Sequence, residues 1–466
     1  MKLPPVAAIA SSAKSRLLAA AVLTFVCTLA LRVRGISTHF WLLRDQIRDW
    51  SIALGPFTDL PLVGPATHVG GYTIGPAFYW ILWAIRVTVG PWFDNLPHAG
   101  GIGQAILQSG ADALLLVAVW RRTGSPWIAL TTVVVVATAA YDLCLAALVW
   151  NPTMGSMLAK VAIALVLLDW HRGSVARVAA TAAVAWIAVH AYTGAIYVTA
   201  GVFTAILIDP ALRRDWRSAR RNALIVAAVV AILQAPYLAH QVSNRFSDQA
   251  MAAVSGSVAQ ILSGAARPEI AKSLDGYVAA FRFIEVAPWR LRWVGWALLV
   301  CAGGVAIRYR RDPALLAVTL LPQAAALVGF ALFLDDLDDY YYLSLMPPAV
   351  LTMVLAVAAV PPPRLARVVG VAMLVGALAL VPARARHATT MHRLPQYGVL
   401  VDATRKMSRL DQPMRAVQTD IKLPPTSSPE VLYRALGGRI DPSSPWIGVI
   451  TTEGQVVYHY VGAREP

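Results

Sequence analysis

Charged residues are scarce in this chain of 466 residues, where Asp, Glu, Lys and Arg together make up 14% of the total. Soluble proteins average about 25% charged residues, so a soluble globular protein, a disordered chain and a coiled coil are excluded. Only three cysteines are present, each inside an apolar run and without a partner at metal-ligand spacing, which excludes a disulfide scaffold. The sequence also lacks a GxGxxG motif after a strand, a Walker loop, HExxH and GxSxG.

The chain is rich in long apolar runs instead. Hydrophobic residues make up 58% of it, and eleven runs are long enough, or nearly so, to cross about 30 Å of hydrocarbon as helices. We therefore predict an all-α polytopic membrane domain over residues 1–383 with about 11 transmembrane helices. The runs are 17–31, 102–120, 126–149, 154–170, 176–190, 192–208, 222–238, 291–307, 313–334, 343–360 and 366–382. The two shortest, 176–190 and 192–208, leave one fused helix as an alternative.

Lys and Arg set the predicted orientation. The net charge of +15 is explained by basic residues in cytoplasmic loops, so no nucleic-acid partner is predicted. If the aromatic-rich run 75–90 lies along the outer face, the predicted cytoplasmic segments hold 17 Lys and Arg residues. If it crossed the membrane, the basic clusters at 121–122 and 213–221 would face outside, so the positive-inside rule favours the first arrangement. The N-terminus is then cytoplasmic, and 75–90 is an outer juxtamembrane helix. The two large outer loops are 35–101 and 239–290.

The last part of the chain, 384–466, is polar and charged and contains several prolines. Its end, WIGVITTEGQVVYHYVG at 446–462, predicts two strands around a Glu-Gly turn. The sequence Ser428-Pro429-Glu430 before VLYRAL predicts a short capped helix. We expect a small extracytoplasmic α/β domain over these residues.

The densest group of charges follows the first apolar run. Two arginines, Arg44 and Arg48, lie among aromatic residues beside two acids, Asp45 and Asp49. In a helix the two acids share a face at i, i+4. At a membrane surface, one carboxylate can act as a general base and an arginine fork can hold a phosphate. A solvated turn with local ion pairs is the alternative.

Further polar residues lie at the predicted outer ends of the spans, as expected for a site at that surface. They are His68 and Tyr72 in a Gly/Pro-rich loop, Asn151 after Trp150, His190 before a turn, and Tyr341 and Tyr342 after four acids. For each of them an interfacial or structural role is the alternative. The four acids, between residues 335 and 339, attract cations, but their spacing specifies no metal. The sequence therefore allows a divalent metal as cofactor but does not identify its ligands.

Three ionisable residues lie inside predicted spans, namely Asp112, Asp142 and Lys160. Because charges are costly in lipid, such residues face a cavity or the interior of the bundle. Asp142 and Lys160 lie at similar depths in consecutive spans, so we predict that they pair at the floor of the outer cavity. Arg32 and Arg34 fall on the outer side of the first span, where we predict that they snorkel toward a lipid phosphate.

At the first outer loop the sequence resembles the GT-C membrane glycosyltransferases, in the branch of protein O-mannosyltransferases and aminoarabinose (lipid A) transferases. The resemblance covers the organisation of about residues 15–360. Its motifs occur in the family's order, and the first is the most specific. They are DQIRD at 45–49, GP followed by GYTIGPAFYW within 64–80, WNP at 150–152, and YYL followed by PP within 341–348.

The resemblance implies a hexosyl- or pentosyltransferase of the bacterial plasma (inner) membrane. Its donor is a polyprenyl-phosphate-linked sugar, its acceptor is a glycan, lipid or protein on the outer face, and transfer occurs with inversion. Asp45 matches the family's catalytic acid and is the implied general base, while Arg48 holds the lipid phosphate or orients Asp45. Aminoarabinose transferases carry a second essential Asp where this chain has Asn151. Either Asp49 supplies that carboxylate or one carboxylate suffices.

Two other readings of the sequence stay open. An O-antigen-type ligase or polymerase has a late outer loop rich in Arg and His, and the segment 239–290 contains both. A lipid or sugar transporter is also polytopic and basic. Transporters show repeat symmetry and broken helices at the midplane, whereas the polar residues here gather at the outer ends of the spans.

Overall fold

The computed structural model describes residues 6–34, 36, 44–67, 70–93, 96–145, 147–280, 293–334, 337–391, 396–423 and 428–462. Within these ranges the chain forms helices almost throughout, with one small sheet near its end. The helices are α1 (Val6–Val33), α2 (Arg44–Ala53), α3 (Ala77–Thr88), α4 (Leu96–Thr123), α5 (Pro126–Thr138), α6 (Ala140–Leu145), α7 (Asn151–Leu167), α8 (Val175–Ala191), α9 (Ile196–Leu212), α10 (Trp216–Ser243), α11 (Gln249–Leu262), α12 (Ile270–Ala280), α13 (Trp293–Arg308), α14 (Pro313–Ala331), α15 (Met346–Ala358), α16 (Pro363–Met391), α17 (Tyr397–Ser408) and α18 (Glu430–Ala435); the strands are β1 (Ala416–Thr419), β2 (Trp446–Ile450) and β3 (Val456–Tyr460).

The chain is a multi-pass membrane protein. Among the described residues, seven helices are long and apolar enough to cross a bilayer, as judged by length and composition. They are Lys14–Val33, Ala99–Thr123, Thr193–Leu212, Trp216–Ser243, Pro313–Ala331, Tyr340–Ala358 and Pro363–Arg386. Four of the predicted crossings contain shorter helices, α5, α7, α8 and α13, of 13 to 17 residues. The count of eleven therefore stays a prediction.

Two predicted runs are divided differently in the structure. The run 126–149 is not one helix, because α5 ends at Thr138 and the six-residue helix α6 follows. The runs 176–190 and 192–208 do not fuse, because Tyr192 adopts an extended conformation between α8 and the turn that starts α9. Both breaks interrupt a helix inside the bundle, where the surrounding protein buries residues such as Ala139 and Tyr192.

The run 75–90 forms the helix α3, which has 12 residues. At 1.5 Å per residue it is about 18 Å long, which is too short to cross about 30 Å of hydrocarbon. It packs against α2, α4 and α8. Arg86 near its end donates hydrogen bonds to the carbonyls of Ala53, at 3.2 Å, and Gly55, at 2.7 Å, which holds α3 against the end of α2.

The interior of the bundle is built mainly from Ala, Val and Leu side chains of α4, α5, α7, α9, α14 and α15. Small residues let the helices approach closely. A Cβ atom at Gly201 of α9 would lie 2.3 Å from the carbonyl oxygen of Ala317 on α14. Close packing of this kind replaces the hydrophobic effect as the source of helix association in lipid.

The C-terminal part of the chain contains the predicted small α/β fold. β2 and β3 pair in antiparallel fashion around a turn in which Gly454 has φ +79°. β1 pairs with β2 in parallel, a strand that the sequence analysis did not predict. A separate core forms between this sheet and the helices α17 and α18, around Leu400, Met407, Leu432, Tyr433 and Ile450. The helix α16 runs past residue 384 to Met391, and α18 packs on α2.

Candidate functional site

The helix α2 carries the charged group that the sequence singled out. One face of it, formed by Gln46, Asp49, Trp50 and Ala53, is buried against the bundle. Asp45 lies at the edge of that face, and its side chain is 54% exposed. The two acids therefore share a side of the helix but differ in environment, and of the two only Asp45 is open to a substrate.

Asp49 is held by two neighbours. Arg48 donates from Nε to its Oδ1 at 2.8 Å, and the hydroxyl of Tyr79 on α3 donates to the same oxygen at 3.1 Å. Another nitrogen of Arg48, Nη1, lies 3.2 Å from Oδ1 of Asp45. Asp49 thus fixes the guanidinium of Arg48 beside Asp45, and the side chain of Arg48 stays 37% exposed.

Burial raises the pKa of Asp49 to about 6, although the charge of Arg48 and the hydrogen bond from Tyr79 oppose the shift. The ordinary pKa is about 3.9, so the folded protein binds this proton more tightly than the unfolded chain does. The contribution of this carboxyl to the free energy of unfolding therefore falls as the pH rises from about 4 to about 6. The expected fall is about 2–3 kcal/mol.

This pH dependence is testable by heat unfolding in detergent at a series of pH values. The variant Asp49→Asn is expected to lose that slope between pH 4 and pH 6. Asp59→Asn is the matched control, because Asp59 is an exposed acid of the same loop, and it should keep the slope. Equal slopes in the wild type and in Asp49→Asn would contradict the assignment.

The buried face of α2 is tied to the segment before α7. The backbone N–H of Val149 donates to Oε1 of Gln46 at 3.1 Å. Asn151 follows at the first position of α7 and is partly buried. The ring of Trp150 packs edge-on against Tyr340 at 5.2 Å.

The loop after α2 forms a short hairpin, in which Ala66 and Tyr72 pair as an isolated antiparallel bridge. Gly70 and Gly71 have φ of +85° and +69°, a region that favours glycine. Tyr72 is exposed, and its ring lies 5.8 Å from that of His240 at the end of α10. The hairpin thereby contacts the end of α10. His68 lies outside the described residues.

His190 is fully buried beneath this hairpin. A Cβ atom at Gly75 would lie 2.3 Å from Nδ1 of His190. Gln234 of α10 links His190 to the segment that follows the hairpin. The side-chain oxygen Oε1 of Gln234 lies 3.3 Å from Nε2 of His190, and the side-chain nitrogen of Gln234 donates to the carbonyl of Ile74 at 2.8 Å. The structure therefore places His190 in the support of the hairpin, and not on an open surface.

The two predicted tyrosines differ in position. Tyr342 is buried, and its hydroxyl donates to the carbonyl of Ser273 at 3.1 Å. Tyr341 is half-buried and stacks with Phe330 at 6.3 Å. Among the residues that the structure describes, no group of three or more His, Cys, Asp or Glu side chains could hold a metal ion. Two of the four acids in front of the tyrosines, at 335 and 336, lie outside the described residues.

Below the site, inside the bundle, Lys160 and Asp142 contact each other at 3.0 Å. The sequence predicted this pair, but it did not predict that two further charged residues, Asp112 and Arg32, belong to the same cluster. Asp112 lies 2.8 Å from Lys160 and 2.6 Å from Arg32, and Arg32 also pairs with Asp142. We call these four residues the buried tetrad. The expectation that Arg32 snorkels toward a lipid phosphate is wrong, because its side chain is fully buried between two carboxylates.

The side chain of Arg34 is exposed. Arg44 is the first residue of α2, and its side chain is not among those that the structure describes. The signal for the tetrad was present in the sequence, because Arg32 and Asp112 are ionisable residues next to or within apolar runs. The sequence does not show their pairing, because Arg32 lies at the end of an apolar run, where an arginine can also reach the membrane surface.

Comparison with known proteins finds similarity in structure alone. No family model matches the sequence, and no curated protein is similar to it. A structure of ArnT from Cupriavidus metallidurans bound to undecaprenyl phosphate is similar over 91% of this chain and 85% of that one, with a TM-score of 0.53 and 14% identity. ArnT from the same organism in the apo state is similar over 93% of this chain and 86% of that one, with a TM-score of 0.52 and 15% identity.

Proposed function

Because this chain has the GT-C fold, we propose that it is a membrane glycosyltransferase that uses a polyprenyl-phosphate-linked sugar as donor. The observation that carries the proposal is the arrangement on α2. An exposed carboxylate, Asp45, lies beside a guanidinium, Arg48, that a buried acid holds in place. An apolar groove lies along α3, on the side of the helix opposite the one on which Tyr79 contacts Asp49. The acceptor is a glycan, lipid or protein on the outer face of the bacterial plasma membrane, with the N-terminus in the cytoplasm and the C-terminal domain outside.

In the proposed reaction the acceptor hydroxyl attacks the anomeric carbon of the sugar. The bond from that carbon to the phosphate oxygen breaks, the proton of the hydroxyl passes to Asp45, and polyprenyl phosphate leaves. Attack from the face opposite the phosphate inverts the anomeric configuration. Arg48 stabilises the negative charge on the leaving phosphate. Asp49 positions Arg48, so that a second reactive carboxylate is not required.

The remaining predicted site residues take two roles in this proposal. Arg44, His68, Tyr72, Asn151 and Tyr341 bind the sugar or the lipid phosphate. His190 and Tyr342 are buried, and they act by holding the hairpin and the turn before α15 in place.

An apolar groove supports the lipid part of the donor. It has a volume of about 400 Å³ and lies between α3, α4 and α8. Its lining includes Trp80, Ile81, Ala84, Ile106, Leu107 and Ile187. On the opposite side of α3, Tyr79 contacts Asp49. The helix α3 therefore lies between the groove and the charged residues of α2. The apolar lining suits an isoprenoid chain, and the structure of ArnT to which this chain is similar is bound to undecaprenyl phosphate.

The proposal is tested with purified enzyme in membranes that contain endogenous acceptors. A panel of radiolabelled polyprenyl-phosphate hexoses and pentoses is offered, and transfer of label to an acceptor is measured. Transfer from one of these donors is the expected result. If the wild type consumes no donor across the panel, the glycosyltransferase assignment is wrong.

Filling the groove should weaken donor binding selectively. Ala84→Trp puts a large ring into the groove, and we expect the KM for the polyprenyl donor to rise about tenfold with little change in kcat. Val87→Trp is the matched control, because Val87 is an exposed residue of the same helix outside the groove. An unchanged KM in Ala84→Trp would remove the groove from the donor site.

A further inference from the structure

A second surface with ligand-binding character lies at the far end of α10 from the hairpin. This helix has 28 residues, so it is about 42 Å long. Its last turns contact the hairpin through His240, whereas its first turns lie at the end of the bundle predicted to face the cytoplasm. The surface is therefore separate from the α2 site by the thickness of the membrane.

The first turns of α10 form one wall of a groove of about 660 Å³. Three arginines and three apolar residues line it at spacings of three and four, which places them on one face of the helix. They are Arg217, Arg220, Arg221, Leu224, Ile225 and Ala228. Val175 at the start of α8 and Trp216 line the groove as well. The face is thus basic for its first turn and apolar for the next two.

The three groove arginines are held by no close carboxylate in the part of the chain that the structure describes, although the charge of Asp215 acts on Arg217 and Arg221. Other arginines at this end are paired, such as Arg122 with Asp169 at 2.9 Å and Arg172 with Asp209 at 2.8 Å. Within the described part of the chain, none of the three groove arginines forms an ion pair with a carboxylate. The acid that faces them is Asp215, which caps α10 by accepting from the backbone N–H of Ser218 at 3.0 Å.

The apolar part of the groove decides between a lipid and a small anion. Leu224 is 72% exposed, which in a membrane means exposure to acyl chains. From Arg217 to Ala228 the helix rises about 16 Å, or about half of the 30 Å hydrocarbon core. Because side chains on a helix lean toward its N-terminus, the arginines reach outward to the level of the headgroups. Trp216 lies beside them, as is typical of a membrane interface.

We propose that this groove binds an anionic glycerophospholipid of the adjacent leaflet. The phosphate contacts Arg217, Arg220 and Arg221, and one acyl chain lies along Leu224, Ile225 and Ala228. Basic pockets between transmembrane helices are suited to such headgroups. The proposal is independent of the sugar transfer proposed above, because it uses none of the residues of the α2 site.

Native mass spectrometry of the full-length protein tests the proposal. Detergent micelles are supplemented with phosphatidylglycerol or with phosphatidylcholine of the same acyl chains, and retained lipid is counted. The wild type should retain phosphatidylglycerol preferentially. R217Q/R220Q/R221Q should lose at least about tenfold in retention. The matched control, R308Q/R310Q/R311Q, removes the same charge from a loop outside the groove and should retain lipid like the wild type.

A further variant and a competitor cover the other outcomes. Ala228→Trp fills the apolar half without changing the charge, and it should also lower phosphatidylglycerol retention, which keeps the test valid if the triple variant fails to fold. Equal retention of the two lipids by the wild type, or equal loss in the control triple, would overturn the proposal. Complete displacement by inorganic phosphate would show a site for free phosphate instead.

Discussion

Replacing Asp45 with Asn is expected to lower kcat for sugar transfer by about 10²–10⁴-fold while the protein folds normally. An amide has no basic site that can take the hydroxyl proton, so the loss should fall on the chemical step. Asp45 is 54% exposed and contacts Arg48 at 3.2 Å, so its carboxylate contributes little to packing. The measurement is transfer of label at saturating donor, using the donor found in the panel.

A control separates this result from a general effect of charge. Asp59→Asn removes an exposed acid from the same loop and should leave kcat within about twofold of the wild type. A fully active Asp45→Asn enzyme would refute the role of Asp45 as the base. If the donor panel is consumed by the wild type and by this variant alike, the glycosyltransferase assignment still stands.

The second large effect concerns stability. Lys160→Met should lower the free energy of unfolding by about 3–5 kcal/mol, because it leaves Asp112 and Asp142 to share the single charge of Arg32. Lys160 is 1% exposed, so water cannot take over its role. The measurement is the midpoint of SDS-induced unfolding, with the heat-unfolding midpoint in the same detergent as a second reading.

Two variants make the test specific to charge balance. Lys160→Met/Asp112→Asn leaves one Arg and one Asp and should recover more than half of the lost stability. Lys272→Met breaks a partly exposed pair with Glu269 and should cost no more than about 1 kcal/mol. If the double variant is as unstable as the sum of its single variants, the loss comes from packing around Lys160 and not from unpaired charge.

The sequence predicted the membrane class and the small C-terminal sheet from patterns that extend over many residues, and short motifs pointed to the fold shared with ArnT. The residue pattern alone did not distinguish Asp45 from Asp49, and only the family resemblance singled out Asp45 as the base. Two acids at i, i+4 differ by about 40° around a helix, and the boundary between exposed and buried surface at α2 is set by α3, which comes later in the chain. The roles of both acids stay predictions.

The parallel strand β1 was not predicted from the sequence, because it is short and its pairing partner is distant in the chain. Its four residues, AVQT, have too few alternations to indicate a strand, and their pairing with β2 joins segments about thirty residues apart. Likewise the hydrogen bond between Gln46 and Val149, which ties α2 to the start of α7, joins residues 103 positions apart. No local pattern encodes such contacts, because they depend on how complete elements pack.

The buried tetrad has a consequence for the order of assembly during synthesis. Arg32 precedes its partner Asp112 by 80 positions, and at about 5–20 residues per second the ribosome needs about 4–16 s to reach it. Until then Arg32 lacks both acidic partners, and an unpaired charge favours the lipid–water boundary over the hydrocarbon. In the folded protein, only 11% of the most apolar part of α1, within Lys14–Val33, is buried against other residues. The first helix to be made therefore reaches its final depth only after α4 and α6, which carry the two acids, have followed it out of the ribosome.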